Sequence, residues 1–349
     1  MLKRLTLQPE AARQSLSIAV VGLGGIGGAH SVIVNNVPGS KLAAVCDTDK
    51  RLIRLAQGAL PHISAYSDFQ KLLAEQDIDG VFVCTPAHTH LDLVKDALAA
   101  PGVRGIFLEK PMAPTYSTAL ELTRLCLSRR IVTMVGLQRR FIGSFREAKR
   151  ALEAGEIGTP LAFRAWHLSD GTMQEGKGWR FHPLNGGVTL EWGVHLFGML
   201  NWLFGRPNRV SAVRRRIVSR LVEDYSHVDL DYASGLTGSV DIGWSLRLSS
   251  PPDMTVEIHG TSGYLRVTED RIILATGEPT SYSPVGKVRV FHSSLLNESV
   301  PFLFGRTEMV AQDALFVQSI SGGNAPPNSF DEVAPIHEVI DRVKAFPLV

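Results

Sequence analysis

Two residues in the second half of the chain have the types and the spacing of a proton-transfer pair. Glu191 and His195 lie four positions apart in an apolar stretch that follows two glycines. On a helix, residues at this spacing share one face, so the carboxylate can hold the imidazole in one orientation. An imidazole held in this way is suited to act as a general base. A structural contact between the two side chains in the protein interior is the alternative interpretation.

A lysine at the end of an apolar run is the third candidate for chemistry. Lys110 directly follows VRGIFLE, and Pro111, which fixes the backbone, comes next. An ammonium at such a position is partly desolvated, so its charge acts strongly on a nearby substrate oxygen. The alternative is a surface lysine that opens a loop and pairs with Glu109.

A glycine-rich stretch near the start of the chain indicates nucleotide binding. Gly22, Gly24 and Gly27 fit G-x-G-x-x-G between a strand-like run and a helix-like stretch, with Gly25 and Ile26 inside the loop. A pyrophosphate needs close approach to the backbone and free N–H groups at a helix N-terminus, and a Cβ atom would obstruct both. The alternative is a tight turn in an α/β domain without a nucleotide.

An acidic residue follows the glycine motif at the distance expected for ribose binding. Asp47 ends the next strand-like run, 20 residues after Gly27. A carboxylate there accepts hydrogen bonds from the ribose hydroxyls of NAD and repels the 2′-phosphate of NADP. The sequence therefore predicts NAD as the cofactor, while Lys50 and Arg51 nearby keep NADP possible. A cap at the strand end is the alternative role for Asp47.

The elements that position these residues are visible in the hydrophobic pattern. Strand candidates between residue 17 and about 140 are SIAVVG, KLAAVCD, GVFVCT, GIFLEK and IVTMVG, with helix-like stretches between them. This alternation is typical of a parallel sheet with helices on both faces. We therefore predict a Rossmann-type, doubly wound α/β domain that binds a dinucleotide over residues 17–141, after an N-terminal extension over 1–16.

After residue 142 the pattern changes. A helix-like stretch precedes runs in which apolar and polar residues alternate, such as LAFRAWHL, HVDLDYA and MTVEIHG. Such runs predict a large, open, mostly antiparallel sheet. We expect an α+β domain for substrate binding and oligomerisation over 142–330. Helices are predicted at about 307–321 and 331–346, and the domain to which the last segment, 331–349, belongs is left open.

The ends of the predicted parallel strands give the remaining cofactor contacts. In an open parallel sheet, ligands bind beyond the carboxyl ends of the strands. The residues at those ends that are predicted to join the glycine loop and Asp47 in cofactor binding are Thr85, Pro86, His88, His90, Glu109, Lys110 and Gln138. Because His90 begins a helix-like stretch, a capping or packing role is an equal alternative for it.

Composition excludes several classes of protein. The 349 residues are 44% hydrophobic and 20% charged, with a net charge of +2, so no nucleic-acid partner is expected. Arg214 to Arg216 are predicted to form a solvated edge. Cys46, Cys84 and Cys126 are widely spaced, which favours reduced thiols over disulfides or a metal site. Without an apolar span long enough for a membrane or a signal peptide, we expect a cytoplasmic protein.

Several of these motifs, in this order, resemble the Gfo/Idh/MocA family, which includes glucose–fructose oxidoreductase and inositol dehydrogenase. The resemblance runs from about residue 17 to 345 and rests on GLGGIG, CTPAHTHLDLVKDALAA, FLEKPMAPT, GLQRRF, GEIGTPL, GGVTLEWGVH and VEIHGTSGYLRV. It implies that Lys110, Glu191 and His195 form the catalytic group. The chain departs from the family pattern in two places, where Glu191 replaces the usual aspartate and Gly198 replaces an aspartate often present.

The resemblance also implies a function and an assembly. We expect an NAD(P)-dependent oxidoreductase that transfers a hydride between the nicotinamide and a secondary alcohol of a sugar, a polyol or a sugar derivative. An NAD-dependent glycosidase of the same fold and a non-catalytic dinucleotide-binding regulator are the alternatives. The outer face of the second sheet is predicted to be covered in a homodimer or homotetramer.

Further substrate contacts are predicted from residue type. A tryptophan can stack on the apolar face of a sugar, although burial in the core is the alternative role for such residues. A polar stretch, EGKGWRFHP, forms either the rim of the pocket or a solvated loop. Beside Lys110, Glu191 and His195, the predicted substrate contacts are Arg140, Trp166, Trp179, Arg180 and His182.

Overall fold

The first domain contains a parallel sheet of the predicted type. The computed structural model describes residues 15–169, 178–183, 186–246, 253–277, 279, 288–292 and 306–349. Six of its strands pair in parallel in the order β3-β2-β1-β4-β5-β6. They are β1 (Leu16–Val21), β2 (Ser40–Cys46), β3 (Ser64–Tyr66), β4 (Gly80–Val83), β5 (Gly105–Leu108) and β6 (Val132–Val135). The strand order reverses between β1 and β4, which is the point where doubly wound sheets bind ligands.

Helices cover both faces of this sheet. They are α1 (Gly25–Asn36), α2 (Lys50–Ala59), α3 (Phe69–Glu75), α4 (His90–Ala99) and α5 (Tyr116–Ser128). Every residue of β4 and β5 is buried, as expected for strands covered on both sides. Asp68 and Thr115 cap α3 and α5 by accepting hydrogen bonds from free N–H groups of the first turn.

The second domain contains an open sheet of eight strands within the described residues. Their order is β14-β13-β12-β11-β7-β10-β9-β8, in which β7 and β10 pair in parallel and the other neighbours are antiparallel. The strands are β7 (Pro160–Leu168), β8 (Arg209–Arg215), β9 (Tyr225–Asp231), β10 (Thr237–Gly243), β11 (Asp253–Gly260), β12 (Gly263–Val267), β13 (Arg271–Thr276) and β14 (Val288–His292). The predicted fold class is therefore confirmed.

One face of the second sheet packs against helices. These are α6 (Gly143–Glu153), α7 (Val188–Glu191) and α8 (Gly193–Phe204). Phe163 of β7 packs against Phe204 of α8 with ring centroids 5.3 Å apart. Because side chains alternate along a strand, His167 shares this inner face with Phe163, whereas Trp166 points to the opposite, outer face.

Two C-terminal helices return to the first domain. They are α9 (Thr307–Gly322) and α10 (Phe330–Lys344), close to the predicted bounds. Phe316 of α9 packs edge-on against Phe82 and Phe107 of the first sheet, with centroids 5.3 and 5.7 Å apart. This packing favours grouping α9 with the first domain, although the sequence analysis placed it in the second.

The predicted solvated edge from Arg214 to Arg216 is only partly present. Arg215 and Arg216 are exposed, but the prediction is wrong for Arg214, which is 8% exposed. Its guanidinium lies 2.9 Å from Glu223 and donates to the carbonyl oxygens of Lys344 and Phe346. The buried charge ties β8 to the end of α10, where its carboxylate and carbonyl partners compensate for desolvation.

Three further properties concern the described part of the chain. None of its helices combines the length and the apolar character needed to span a bilayer. Its His, Cys, Asp and Glu side chains form no group of three or more that could hold a metal ion. All three cysteines are free thiols, of which Cys46 and Cys126 are buried.

Candidate active site

The glycine loop between β1 and α1 has two positions that tolerate only glycine. Gly22 has φ +89°, and a Cβ atom there would lie 2.9 Å from the backbone of Cys84. A Cβ atom on Gly27 would lie 1.8 Å from the carbonyl oxygen of Gly22. These two glycines therefore allow the loop to turn tightly against β4 and allow α1 to start close to it.

The remaining glycines leave room for an anion. A Cβ atom on Gly24 or Gly25 would meet nothing within 4 Å. Gly24 caps α1 without a side-chain hydrogen bond, and the first turn of the helix contains no acidic residue. Ile26, 47% exposed, lies on the solvent side of this turn. The free N–H groups and the positive end of the helix fit the pyrophosphate of a dinucleotide.

Asp47 connects this loop to the next strand end. Its carboxylate accepts hydrogen bonds from the backbone N–H groups of Leu23 at 2.6 Å and Asp49 at 2.7 Å. The carboxylate is thus held beside the glycine loop, at the place where the ribose of a bound dinucleotide lies in this fold. Arg51, one of the two residues that kept NADP possible, forms an ion pair with Asp49 at 2.7 Å.

One of the predicted cofactor contacts after β4, His90, lies in the protein interior. His90 is completely buried. Its ring nitrogens lie 3.0 Å from the carbonyl oxygen of Met112 and 2.9 Å from that of Thr85. Burial lowers the pKa of His90. These contacts favour the packing role, in which His90 ties the segment after β4 to the segment after β5.

The neighbouring residues remain near the cofactor edge. The Cγ2 atom of Thr85 lies 2.9 Å from the position of a Cβ atom on Gly22. Pro86 precedes a short 3₁₀ helix, Ala87–Thr89, and His88 of this helix lines a cleft towards the second domain. Gln138 starts another 3₁₀ helix after β6. Its buried Oε1 atom has no hydrogen-bond partner within the described residues, so it can accept one from a ligand.

Lys110 joins the two domains. It follows β5, its peptide bond to Pro111 is cis, and its side chain is 18% exposed. The Nζ atom donates to the backbone carbonyl oxygen of Glu191 at 3.1 Å and lies 3.5 Å from the Oε2 atom of the same residue. The structure therefore brings an ammonium from the first domain against the start of the helical region that carries His195.

Glu191 and His195 do not lie on one continuous helix. Helix α7 ends at Glu191, α8 starts at Gly193, and Trp192 lies between them. Within the described residues, the ion pairs of the Glu191 carboxylate are with Lys110 and with Nε of Arg180 at 3.2 Å. The geometry thus places this carboxylate beside two cations and gives it no hydrogen bond to His195.

His195 is held as a neutral imidazole. It is 8% exposed, and its Nδ1 atom has no hydrogen-bond partner among the described residues. Burial lowers the pKa of His195 well below its usual value, and the positive charges of Lys110 and Arg139 and the nearby His167 lower it further. A neutral ring next to an ammonium can accept a proton from an alcohol that contacts both groups.

Two residues of this group were missed in the sequence. Nη2 of Arg139 lies 3.3 Å from Nε2 of His167, and Nη1 of Arg139 lies 3.0 Å from Glu269. The His167 ring stacks on Trp192 with centroids 4.1 Å apart, and burial lowers its pKa well below the usual value. The alternation of β7 was the available signal, since it puts His167 on the face that carries Phe163.

Two predicted substrate contacts lie elsewhere. Arg140 is buried, with Nη1 3.2 Å from Glu332 and Nη2 donating to the carbonyl oxygen of Gly198 at 3.0 Å, so it links α8 to α10. Trp166 lies on the outer face of the second sheet, with the guanidinium groups of Arg164 and Arg266 each 5.7 Å from its ring. The structure brings neither residue to the group around Lys110.

The other predicted contacts border a cleft of about 470 Å³. Its lining includes His88 of the first domain and Trp179 and His182 of the second. Arg180, in the same short 3₁₀ helix as Trp179, points its Nε atom at Glu191. The predicted stretch from Trp179 to His182 is therefore next to the candidate site; residues 170–177 before it lie outside the described part of the chain.

A buried ionic group lies behind Lys110 and was also missed. His30 of α1 is completely buried, with Nδ1 2.6 Å from Asp313 of α9 and Nε2 3.2 Å from Glu109. Burial alone would lower the pKa of His30, but the two carboxylates outweigh it and raise the pKa to about 10. Glu109 is thus engaged with His30 and is one residue away from the catalytic candidate Lys110.

Comparison with known proteins identifies the family. Residues 16–137 match the family model described as "Oxidoreductase family, NAD-binding Rossmann fold", and residues 145–266 match the "GFO/IDH/MocA C-terminal domain". The scyllo-inositol 2-dehydrogenase (NAD(+)) of Bacillus subtilis (strain 168) is 28% identical over 341 residues, which cover 93% of this chain and 96% of the relative. The D-apiose dehydrogenase of Paraburkholderia graminis (strain ATCC 700544 / DSM 17151 / LMG 18924 / NCIMB 13744 / C4D1M) is 29% identical over 260 residues, 72% of this chain and 67% of the relative.

Solved structures share the fold. Levoglucosan dehydrogenase in complex with NADH and levoglucosan superimposes with a TM-score of 0.83 at 23% identity, covering 95% of this chain and 96% of that chain. The predictions of an oxidoreductase and of NAD as its cofactor are confirmed. With models of both domains matched and a relative aligned along nearly its whole length, the chain belongs to the Gfo/Idh/MocA family of NAD-binding oxidoreductases.

Proposed function

We propose that this protein is an NAD-dependent dehydrogenase that oxidises a secondary alcohol of a sugar, a polyol or a sugar derivative. The observation that carries the proposal is the contact of Lys110, at a strand end of the nucleotide domain, with Glu191, next to the helix of His195. Relatives named as inositol and apiose dehydrogenases support the substrate class.

Lys110 and His195 divide the chemistry between them. The ammonium of Lys110 hydrogen-bonds to the reacting oxygen and stabilises the negative charge that develops there. His195 accepts the hydroxyl proton, because burial and neighbouring cations keep its ring unprotonated at neutral pH. NAD, held by the glycine loop and Asp47, supplies the acceptor for the hydride.

We propose that Glu191 positions Lys110 in addition to contacting the substrate. The sequence analysis had it orient His195 or bind a neighbouring hydroxyl. Its contacts with Lys110 and Arg180 instead support a role in positioning the ammonium, with Oε2 3.5 Å from Nζ of Lys110. Oε1 of Glu191 is buried and has no hydrogen-bond partner within the described residues, so it can accept a hydrogen bond from a substrate hydroxyl.

A substrate panel tests the proposal. Inositols, D-apiose, levoglucosan and nucleotide sugars are incubated with the protein and NAD, and the absorbance of NADH is followed. Stoichiometric NADH with one of these compounds is the expected result. Sugar release without NADH accumulation would instead indicate a glycosidase that uses NAD catalytically, and NAD binding without turnover of any compound would indicate a regulator.

We also propose that the protein is a cytoplasmic homodimer or homotetramer that buries the outer face of the second sheet. This face carries Trp166 between two arginines, and Val288 and Val290 on it are 65% and 51% exposed. Apolar and aromatic side chains on an open sheet face favour association. Light scattering that reports a mass of one chain, 38.1 kDa, would contradict the assembly.

A further inference from the structure

Three ionisable side chains from distant parts of the chain meet behind Lys110. His30 comes from α1, Glu109 follows β5, and Asp313 comes from α9, 283 positions after His30. His30 and Asp313 are fully buried, and the Glu109 side chain is 14% exposed. The proposed mechanism uses none of the three directly, although an ionic group in the interior is costly unless every member has partners.

With both carboxylates ionised, a charged ring satisfies the hydrogen bonds of this group. A neutral imidazole donates one hydrogen bond, and its other nitrogen would then face a carboxylate with two lone pairs opposed. Nδ1 and Nε2 of His30 both lie within 3.2 Å of carboxylate oxygens. An imidazolium donates to both, and its ring packs against Phe82 and Phe107, with centroids 5.3 and 5.1 Å away. The ring therefore has one well-defined position.

Glu109 connects the His30 ring to the backbone of Lys110. While Oε1 contacts His30, Oε2 accepts the backbone N–H of Lys110 at 3.1 Å. The side chain of Glu109 also packs over Gly136, where a Cβ atom would lie 2.3 Å from Oε1. A glycine at the end of β6 thus leaves the space that this carboxylate occupies.

We propose that His30 and Asp313 are positioning residues of the catalytic site, which hold the Glu109 carboxylate so that it fixes the backbone from which Lys110 reaches the reacting oxygen. The inference rests on the proposed role of Lys110 in the dehydrogenase reaction. His30 also connects the glycine loop to Lys110, because it lies on α1, the helix whose N-terminus forms that loop. Misplacement of a catalytic group by about 1 Å can reduce turnover about 100-fold.

Two substitutions approach Glu109 from different sides. His30→Gln removes the imidazolium, and Gly136→Ala displaces the carboxylate without changing His30. Gly238→Ala in β10 is the matched control, since the three atoms nearest to its Cβ atom would all belong to the ring of Phe163 in the second sheet, the nearest at 2.3 Å. If His30→Gln does not fold, Gly136→Ala still tests the proposal, because the atom it displaces is the end of a flexible side chain.

The measurements separate positioning from stability. Protein labelled with ¹⁵N-lysine gives an amide signal for Lys110, assigned by its loss in Lys110→Arg. We expect solvent exchange of this amide to be about tenfold faster in His30→Gln and Gly136→Ala than in wild type and Gly238→Ala. The value of kcat should fall about 10- to 100-fold in the first two variants, with the NAD dissociation constant little changed.

Two results would overturn the inference. One is unchanged exchange and kcat in both His30→Gln and Gly136→Ala. The other is an equal change in Gly238→Ala, which would show that loosened packing is the cause. If the wild-type protein oxidises no compound of the panel, the proposed function fails, whereas the exchange rates still decide whether the buried group holds Lys110.

Discussion

Two buried histidines near Lys110 have pKa values shifted in opposite directions. His30, in the nucleotide domain, is completely buried between two carboxylates, and its pKa is raised to about 10. His195, in the second domain, is also buried, but the cations Lys110 and Arg139 add to the effect of burial and its pKa lies well below the usual value. Burial disfavours the charged form in both cases, so it is the neighbouring charges that decide the difference.

The polar atoms near the two histidines also differ in whether they have hydrogen-bond partners. Both nitrogens of His30 have partners. On the other side, Nδ1 of His195, Nδ1 of His167 and Oε1 of Glu191 are buried and have no hydrogen-bond partner within the described residues. Unsatisfied buried polar atoms are costly and are concentrated where a ligand completes them. The comparison suggests that one half of the site is fixed by internal ion pairs and the other half is completed by substrate.

The largest expected effect is the loss of protein stability when His30 is replaced. His30→Leu removes the cation between the buried Asp313 and the 14% exposed Glu109 and should lower the free energy of unfolding by about 3 to 5 kcal/mol. His195→Leu, its counterpart, removes a neutral ring and should cost less than about 1 kcal/mol. Urea denaturation at neutral pH measures both. Equal losses in the two variants would contradict the assigned charges.

The second effect is on turnover. Lys110→Met removes the ammonium but keeps most of the side-chain volume, and kcat should fall about 100-fold or more. NAD affinity should change little, because the pyrophosphate is held by the glycine loop. Lys95→Met is the matched control, since Lys95 pairs with Glu121 on the surface at 2.9 Å. His195→Ala should resemble Lys110→Met.

The two losses should not combine fully. If Lys110 and His195 act on one oxygen, the double variant loses less than the product of the single effects. Near-native turnover in either single variant would mean that the proposed site is wrong. Unfolding of either variant would show that the residue has a structural role.

The sequence allowed most of the first domain to be predicted because the signals are local. Gly22 and Gly27 are required by contacts within a few residues and by one neighbouring strand, and Asp47 lies at a fixed distance from them. The ionic group of His30 could not be found, since Asp313 is 283 positions away and only the folded α9 brings it close.

The second domain shows the limits of residue type as a signal. Trp166 and Arg140 were chosen for their chemistry, whereas their neighbours His167 and Arg139 are the ones that approach His195. A strand pattern states that adjacent residues face opposite ways but does not state which face meets the site. Likewise, four-residue spacing suggested one helix for Glu191 and His195, and the break at Trp192 depends on tertiary packing.

The third effect is on the pH dependence of stability. Unfolded imidazoles take up a proton near pH 6.5, whereas folded His195 stays neutral well below that pH. The contribution of His195 to the free energy of unfolding is therefore present above pH 6.5 and is lost as the pH falls below it. Replacing it in His195→Gln should reduce the slope of stability between about pH 6.5 and 5.5 by up to about 1.4 kcal/mol per pH unit.

The contribution of His30 to stability changes with pH in the opposite direction. It is protonated in both folded and unfolded chains below pH 6.5, so its contribution is complete there and is lost as the pH rises through about 10. Above pH 6.5, the stability advantage of wild type over His30→Gln should therefore shrink as the pH rises in urea denaturation series. An advantage over His30→Gln that does not shrink above pH 6.5, or an unchanged acid slope in His195→Gln, would contradict the comparison.

The smallest expected effect is on the residue that separates this chain from the pattern of the family it belongs to. Glu191→Asp shortens the side chain by one methylene, which draws the carboxylate away from Arg180, now 3.2 Å distant, and from Lys110. The bond from Lys110 to the backbone carbonyl oxygen of residue 191 does not depend on the side chain. The Glu191 side chain is only 2% exposed, but Glu191→Asp keeps the charge, so kcat/KM should change less than about fivefold, which is about 1 kcal/mol. Glu191→Gln, which keeps the length and removes the charge, is the control, and both variants are assayed on the substrate panel.

A changed order of substrates in Glu191→Asp would identify residue 191 as a specificity element. Higher activity on all substrates would show that the glutamate limits turnover. A loss as large as that of Lys110→Met would mean instead that the carboxylate takes part in proton transfer, and the positioning role of Glu191 would be wrong.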